Sequence, residues 1–381
     1  MPTTDVLFAL TGDVRHNSRA LKQLRVLGAM GLQTTVLTLG KGPTPPALPN
    51  VRLVSAELPP ARGPRHFWNV HRAFKQHAAR FSARVYHASD LYVLHALHQA
   101  RQRRHAGAKL VYDARECYPH VASTVGRPWV SSVWTRVERR GLKHVDAAFT
   151  VSDSIADWMV DTYGIPRPQL LHNVPAYQAV RSTNYLRECL GLSSETAVVL
   201  HQGQMRKHRG GGWLVAAMAH VPEAHLVFLG RGAEQPALAA RAEALAIGHR
   251  VHFVSPVAPD ALLPVTASAD IGVTLLEDVC LNHRYALPNK LFEYLMAGLP
   301  VIASDLPECR RVVTPAPVGR VVDPANTAAL AATLREMLAD RVAWRQRVNQ
   351  GTPSVFETFS WEAASQRLTE TYAALLSREI L

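Results

Sequence analysis

The chain has 381 residues, 48% hydrophobic and 19% charged, which excludes a disordered protein and gives enough length for two cores of ordinary size. No apolar run is long enough to span a bilayer, the start Met1-Pro2-Thr3-Thr4-Asp5 lacks a signal-peptide pattern, and four cysteines without paired short spacing argue against a zinc site or a disulfide framework, so a cytoplasmic protein with free thiols is expected. The net charge of +12 lies entirely in residues 1–175, with 23 Lys+Arg against 11 Asp+Glu, and this one-sided field favours an anionic partner such as a phosphate-bearing acceptor, a membrane surface or nucleic acid.

The first half alternates strands and helices. A buried strand over 5–10 is followed by the turn Thr11-Gly12-Asp13 and a helix over 18–30 with Leu21, Leu24, Leu27 and Met30 on one face. Further strands are predicted at 34–39, 85–88, 110–113 and 147–151. Strands separated by helices predict a parallel, doubly wound α/β sheet, in which ligands bind beyond the carboxyl ends of the strands. That rule gathers Gly12, Asp13 and Arg15, then Ser89 and Asp90, then Arg115 and Glu116, around one crevice. Residues 65–81 read as a basic amphipathic helix, with Phe67, Val70, Phe74, Ala78 and Phe81 on one side. Such a stripe is usually core. Arg101 to Arg104 and the basic run 136–143, preceded by Trp129 and Trp134, add to the positive charge.

Residues 176–195 lack sustained periodicity and read as the connection between a first domain, 1–175, and a second, 196–355. The second predicts strands at 197–201, 226–229, 251–254, 271–275 and 301–303. The tail, 356–381, contains an amphipathic stretch with Trp361, Ala364, Leu368, Tyr372 and Leu375 spaced for one helical face.

Three stretches carry chemistry. In 288–305, Pro288 suits a first helical turn, Leu291, Leu295 and Met296 form an apolar stripe, Gly298 and Pro300 stop the helix, and a strand follows. Free N–H groups beside Asn289 and Lys290 suit an anion, and Glu293 one turn deeper can accept hydrogen bonds from two hydroxyls of a ribose or sugar. A capped surface helix with a solvated Glu is the plainer alternative. In 201–213, a strand end, Gly203 and the basic set Arg206, Lys207, His208 and Arg209 lead into Gly210-Gly211-Gly212 and a helix start, which suits phosphate; the alternative is a solvated basic turn. It lacks the Gly-Lys-Ser/Thr ending of a Walker loop. Leu229-Gly230-Arg231-Gly232 is a weaker glycine-rich turn.

The run "LPNKLFEYLMAGLPVIASD" resembles the nucleotide-sugar signature of family 4 glycosyltransferases, retaining enzymes of the GT-B fold. The resemblance implies two Rossmann-like domains facing a cleft, with the C-terminal helix crossing back onto the first. It implies that Glu293 binds the donor ribose, that Gly203, Arg209 and Gly210 match a Gly-Arg…Lys-Gly phosphate element, and that Arg231 packs on the base or phosphates. Departures are Tyr285 where the family often has a second glutamate, Gln204 in place of arginine, and Arg115 where Asp113-Ala114-Arg115-Glu116 resembles an Asp-x-His-Glu segment. Arg206 or Lys207 is the candidate substitute for the missing arginine. An ion pair of Arg115 with Glu116 or Asp90 is its alternative role.

These readings together predict a retaining, metal-independent hexosyltransferase. It would move a sugar from a UDP- or GDP-linked donor to a hydroxyl of a lipid-linked glycan, in polysaccharide or glycoconjugate synthesis at the inner membrane face. Arg209, Lys290 and Glu293 are the catalytic candidates; Gly203, Gln204, Arg206, Lys207, Gly210, Arg231, Tyr285, Leu287, Pro288 and Asn289 join Arg209 and Glu293 in donor binding; Gly12, Asp13, Arg15, Asp90, Arg115 and Glu116 form the acceptor side. No cofactor beyond the donor is expected, and no Asp-x-Asp occurs to bridge a metal to the diphosphate. The alternatives are a degenerate member that binds a nucleotide sugar or partner without turnover, an epimerase of the same fold, and a nucleic-acid binder resting on charge alone.

Overall fold

The computed structural model describes residues 3–39, 48–178, 180–181 and 183–377. It divides into two units: one runs to Asn173 and resumes at Glu362, and the other is Val174–Trp361.

The first unit holds seven parallel strands: β1 (Thr3–Ala9), β2 (Thr34–Thr38), β3 (Val51–Ser55), β4 (Ser82–Ala88), β5 (Lys109–Ala114), β6 (Ala147–Thr150) and β7 (Gln169–Leu170), in the order β3-β2-β1-β4-β5-β6-β7. The central strands are buried on both faces, which is why Val6-Leu7-Phe8-Ala9-Leu10 is continuously apolar rather than alternating. Phe8 sits opposite Val36 on β2 and His87 on β4. The strand order reverses between β1 and β4, so the loops leaving those strands part there. The helix Trp361–Ser377 belongs to this unit. Its buried Tyr372 shares a hydrogen bond of 2.8 Å with His87 Nδ1, and Thr371 Oγ1 donates to Gln169 Oε1 at 2.9 Å.

The second unit holds six parallel strands: β8 (Ala197–Gln202), β9 (Ala224–Leu229), β10 (Val251–Val254), β11 (Ile271–Thr274), β12 (Val301–Ser304) and β13 (Gly319–Val322), ordered β10-β9-β8-β11-β12-β13. Alternate residues of β8 feed two cores. Val198 and Leu200 pack with Phe292, Tyr294 and Leu295 on one face, and Val199 packs with Leu214, Phe228, Leu330 and Trp344 on the other.

The parallel, helix-flanked sheets are those the alternation predicted, and the differences lie at edges and boundaries. β3, β7 and β13 were not among the predicted strands; each is short and lies at or next to an edge, where burial writes less pattern into the sequence. Residues 176–195 are not a free connection: they contain the helix Tyr185–Leu190, whose Leu186 is fully buried in the second core. The return to the first unit starts at Glu362 rather than 356, because Phe356 and Phe359 pack on Phe292.

Candidate functional site

In the second unit, the loops leaving β8 and β9 lie against each other. Gly203 N donates to Leu229 O at 2.7 Å and Met205 N to Arg231 O at 3.1 Å. Close approach dictates the glycines: a Cβ on Gly230 would collide with Gly203 O, and one on Gly232 with Met205 O. Gly203 itself has φ +98, where side chains are disfavoured, and a Cβ there would stand 2.8 Å from Lys290 Cε. The bare backbone therefore makes room for the lysine stem.

Lys290 starts the first turn of the helix Asn289–Met296, with Pro288 in an extended conformation at its N-cap, one position earlier than expected. The helix buries Leu291, Phe292, Tyr294, Leu295 and Met296. Tyr294 fixes its height on the sheet: the hydroxyl donates to Val273 O at 3.1 Å and accepts from Gln202 N at 2.9 Å. Gln202, 2% exposed, donates through Nε2 to the Glu293 carboxylate, while its Oε1 accepts from Thr266 Oγ1 at 2.7 Å. Glu293 is thus aimed by a buried amide that is itself pinned.

Burial pushes the Lys290 ammonium down to about 8, with Arg209 adding to the shift and Glu293 opposing it. The residue is half-buried, so at neutral pH this is a partly desolvated cation. It lines a cavity of ≈ 210 Å³ with His201, Arg209, Thr274, Pro288 and Asn289. His201 and Arg209 also line a second cavity of ≈ 260 Å³, together with Arg206, Lys207 and Gly210. Gly210 caps the helix Gly211–Met218 at φ +69 and lies too close to Leu275 to carry a side chain. The basic loop is tied down: His208 Nδ1 lies 2.9 Å from Glu277 Oε2, Glu277 N donates to His208 O at 3.2 Å, and His283 Nδ1 lies 3.0 Å from Glu277 O.

Of the predicted donor and catalytic residues, Arg206, Lys207, Arg209, Gly210, Pro288, Asn289 and Lys290 line these two cavities, with Gly203 against Lys290 and Glu293 one turn behind. Gln204, Arg231 and Tyr285 line neither cavity, and Leu287 packs on the core. Sequence reasoning missed Gln202 and Thr266, because a strand's last residue and a helical threonine read as ordinary elements until tertiary contact joins them.

At the carboxyl edge of the first sheet, Asp90 is fully buried. Its carboxylate accepts from Thr11 N at 2.7 Å and Thr11 Oγ1 at 2.8 Å, caps the helix Leu91–Arg104 through Tyr92 N and Val93 N, and faces Arg115 at 3.7 Å. Burial raises its pKa against the pull of Arg115. Asp13 and Arg15 form a separate pair at 2.6 Å that holds Asp13 at about 2. The structure joins Asp90 with Arg115 and Asp13 with Arg15, while Glu116 is exposed and Gly12 borders open space.

The aromatic residues of the first unit divide as well. Val70, Phe74 and Ala78 are core, and Phe67 packs edge-on to Trp134 at 4.8 Å. Trp68 and Trp129 remain 57% and 68% exposed, with Arg72 over the Trp68 ring. No described helix is long and apolar enough to cross a membrane.

Two Rossmann-like units, each a doubly wound parallel sheet with helices on both faces, define the GT-B fold. The "Glycosyl transferases group 1" profile matches residues 196–340 and the "Glycosyl transferase 4-like domain" profile matches 16–175, so the chain belongs to the family 4 glycosyltransferases. Among relatives, D-inositol 3-phosphate glycosyltransferase of Xylanimonas cellulosilytica is 29% identical over 210 residues, 54% of this chain and 48% of that one. The chain thus spans about half the length of the relatives it matches. Sucrose-phosphate synthase from Thermosynechococcus elongatus superposes with a TM-score of 0.80 at 21% identity, covering 98% of this chain and 100% of that one. HepE from Anabaena, in complex with UDP-glucose, superposes with a TM-score of 0.73 at 16% identity, covering 97% and 100%. At those identities the structural likeness is one of fold.

Proposed function

We propose that this chain is a retaining glycosyltransferase that moves a sugar from a nucleoside diphosphate donor, UDP- or GDP-linked, to a hydroxyl of an anionic, lipid-linked glycan without a metal. The observation that carries the reading is the desolvated Lys290, packed on Gly203 beside Arg209 and one turn ahead of the Gln202-clamped Glu293. When the bond between the anomeric carbon and the diphosphate oxygen breaks, the carbon becomes electron-poor and the leaving oxygens gain negative charge. Lys290 and Arg209, with the amides at the starts of Gly211–Met218 and Asn289–Met296, are set to offset that charge. Glu293 accepts from the ribose hydroxyls, which fixes the donor's register. The acceptor hydroxyl adds on the face the diphosphate leaves, and its proton passes to a leaving phosphate oxygen. The sequence offers no Asp-x-Asp for a metal, and the donor is the only small molecule the reaction needs.

HepE's complex with UDP-glucose supports a nucleotide sugar as donor, and the relative named for D-inositol 3-phosphate supports a phosphate-bearing acceptor. Exposed Trp68 and Trp129 on the basic first unit support a membrane-borne one, since each Lys or Arg at an anionic surface adds about 1 kcal/mol. The test is a panel of nucleotide sugars, with and without a bacterial lipid extract. The expected result is transfer from a UDP- or GDP-sugar to a lipid-soluble product of unchanged anomeric configuration, insensitive to a chelator. Nucleotide binding with neither transfer nor hydrolysis across the panel would instead favour the non-catalytic member, for which Tyr285, Gln204 and Arg115 speak.

A further inference from the structure

The basic loop and Lys290 do not account for His201. This residue precedes Gln202 at the end of β8, on the opposite face, is 2% exposed, and packs its ring on Phe228 at 5.3 Å between centroids. Neither ring nitrogen has a hydrogen-bond partner among the described residues. A buried imidazole without partners is costly, and the ring is the side chain shared by the wall of the Lys290 cavity and the wall of the neighbouring cavity, along with Arg209. A phenylalanine or leucine would make the Phe228 contact without that cost.

We propose that His201 is a third donor to the diphosphate, its ring N–H pointing at an oxygen of the anion that Lys290 and Arg209 hold. This rests on the donor site proposed above and adds a residue and a proton to it. In the empty site burial, then Lys290 and Arg209, keep the ring neutral. The other charged groups around the second cavity are Arg206, Lys207, Glu234, Arg241 and Glu277, the last already engaged by His208. A diphosphate in the cavity reverses the sign of the local field, so the imidazole takes up a proton as the anion binds. Affinity then falls as pH rises through the ring's pKa in the complex. Below pH 7 Lys290, with its value near 8, is already mostly charged and the probe's own phosphate ionisation is common to wild type and variant, so the difference in uptake between the two belongs to the ring.

The experiment uses inorganic pyrophosphate and UDP as probes on the full chain. Binding is titrated calorimetrically between pH 6 and 7 in buffers of different ionisation enthalpy, and the histidine ring ¹⁵N spectrum is recorded alongside. The His201 signal is the one missing from His201→Gln. The expected result is proton uptake by the wild type, movement of that signal toward the imidazolium position, and binding weaker by roughly ten- to a hundred-fold in His201→Gln, with uptake abolished, as for a lost hydrogen bond to a charged group. His201→Phe keeps the ring stack and serves if the glutamine variant does not fold. A His201 signal that ignores pyrophosphate, or a variant that binds as tightly with the same proton uptake, overturns the inference while a transferring wild type leaves the donor site standing. A wild type that binds neither probe overturns both.

Discussion

At the carboxyl edge of the first sheet Arg115 faces Asp90 and Arg15 grips Asp13, with Arg19 and Asp113 paired at 2.6 Å, both buried, behind them. At the corresponding edge of the second sheet Lys290 and Arg209 share a cavity wall, and the carboxylate one turn on, Glu293, accepts from Gln202. The two sheets have the same winding and use it differently. Where each buried charge meets its opposite inside the fold, the edge is a structural device; where a lysine packs against a glycine beside a second cation and Glu293 offsets only part of the cost, an anion from outside adds a favourable contact. The contrast is sharpest at Asp113, whose carboxylate burial would raise but Arg19, His87 and Gln23 hold low, against Lys290, pushed down to about 8.

Breaking the first edge should cost stability and leave the second edge's ligand alone. Asp113→Ala strands the Arg19 guanidinium, which also donates to Leu171 O, and should destabilise the first unit by ~3–5 kcal/mol. Chemical denaturation followed by a first-unit probe measures this, with nucleotide titration of the still-folded variant expected to match wild type. Because the Asp113 pKa is depressed in the fold, that stability is present at neutral pH and is lost on acidification through the folded value.

Breaking the second edge should do the reverse. Arg209→Ala should lower kcat by about 10²–10³-fold, the cost of one preorganised donor to developing charge, with little change in melting temperature. Glu293→Gln should act on binding instead, weakening nucleoside diphosphate by about tenfold, roughly 1.4 kcal/mol, while a deoxyribonucleotide loses less because a hydroxyl it lacks cannot be missed. Isothermal titration with the ribo- and deoxyribonucleotide reads the difference.

A pH dependence sharpens the rule that the first unit's buried charges serve the fold. Glu138 is buried, accepts from Tyr112 and Tyr163 hydroxyls at 2.6 and 2.7 Å, and is raised by burial from 4.5 to about 7. Between those values the native state binds more protons than the unfolded one, so first-unit stability should fall as pH rises through that window and level off above it. Glu138→Gln should flatten the slope, measured as melting temperature against pH.

Much of this was legible in the sequence, for physical reasons. The central strands bury both faces and so are written as apolar runs, and Pro288-Asn289-Lys290 with Glu293 is local enough to read as one helical turn. The edge strands β3 and β13 were not legible, nor was the boundary at Glu362, which depends on Phe356 and Phe359 finding Phe292 across the second unit. In the site, Gln202 lies 91 positions from the carboxylate it orients and 64 from the threonine that pins it, and no spacing rule spans such distances. Aromatic residues were the hardest to place: Phe67 and Trp134 satisfy each other, while Trp68 and Trp129 stay exposed.

The central claim is that the desolvated lysine at the second sheet's edge holds the donor's diphosphate, and the direct measurement is UDP and GDP affinity against pH for wild type and Lys290→Arg. A lysine near 8 is charged below that value and binding pulls a proton onto it, so wild-type affinity should show a fall above about pH 7.5 that is separate from any change below pH 7, which both proteins share, while arginine, which stays charged, should remove the alkaline fall. Binding that shows no alkaline fall in the wild type, or the same fall in both proteins, would contradict the account.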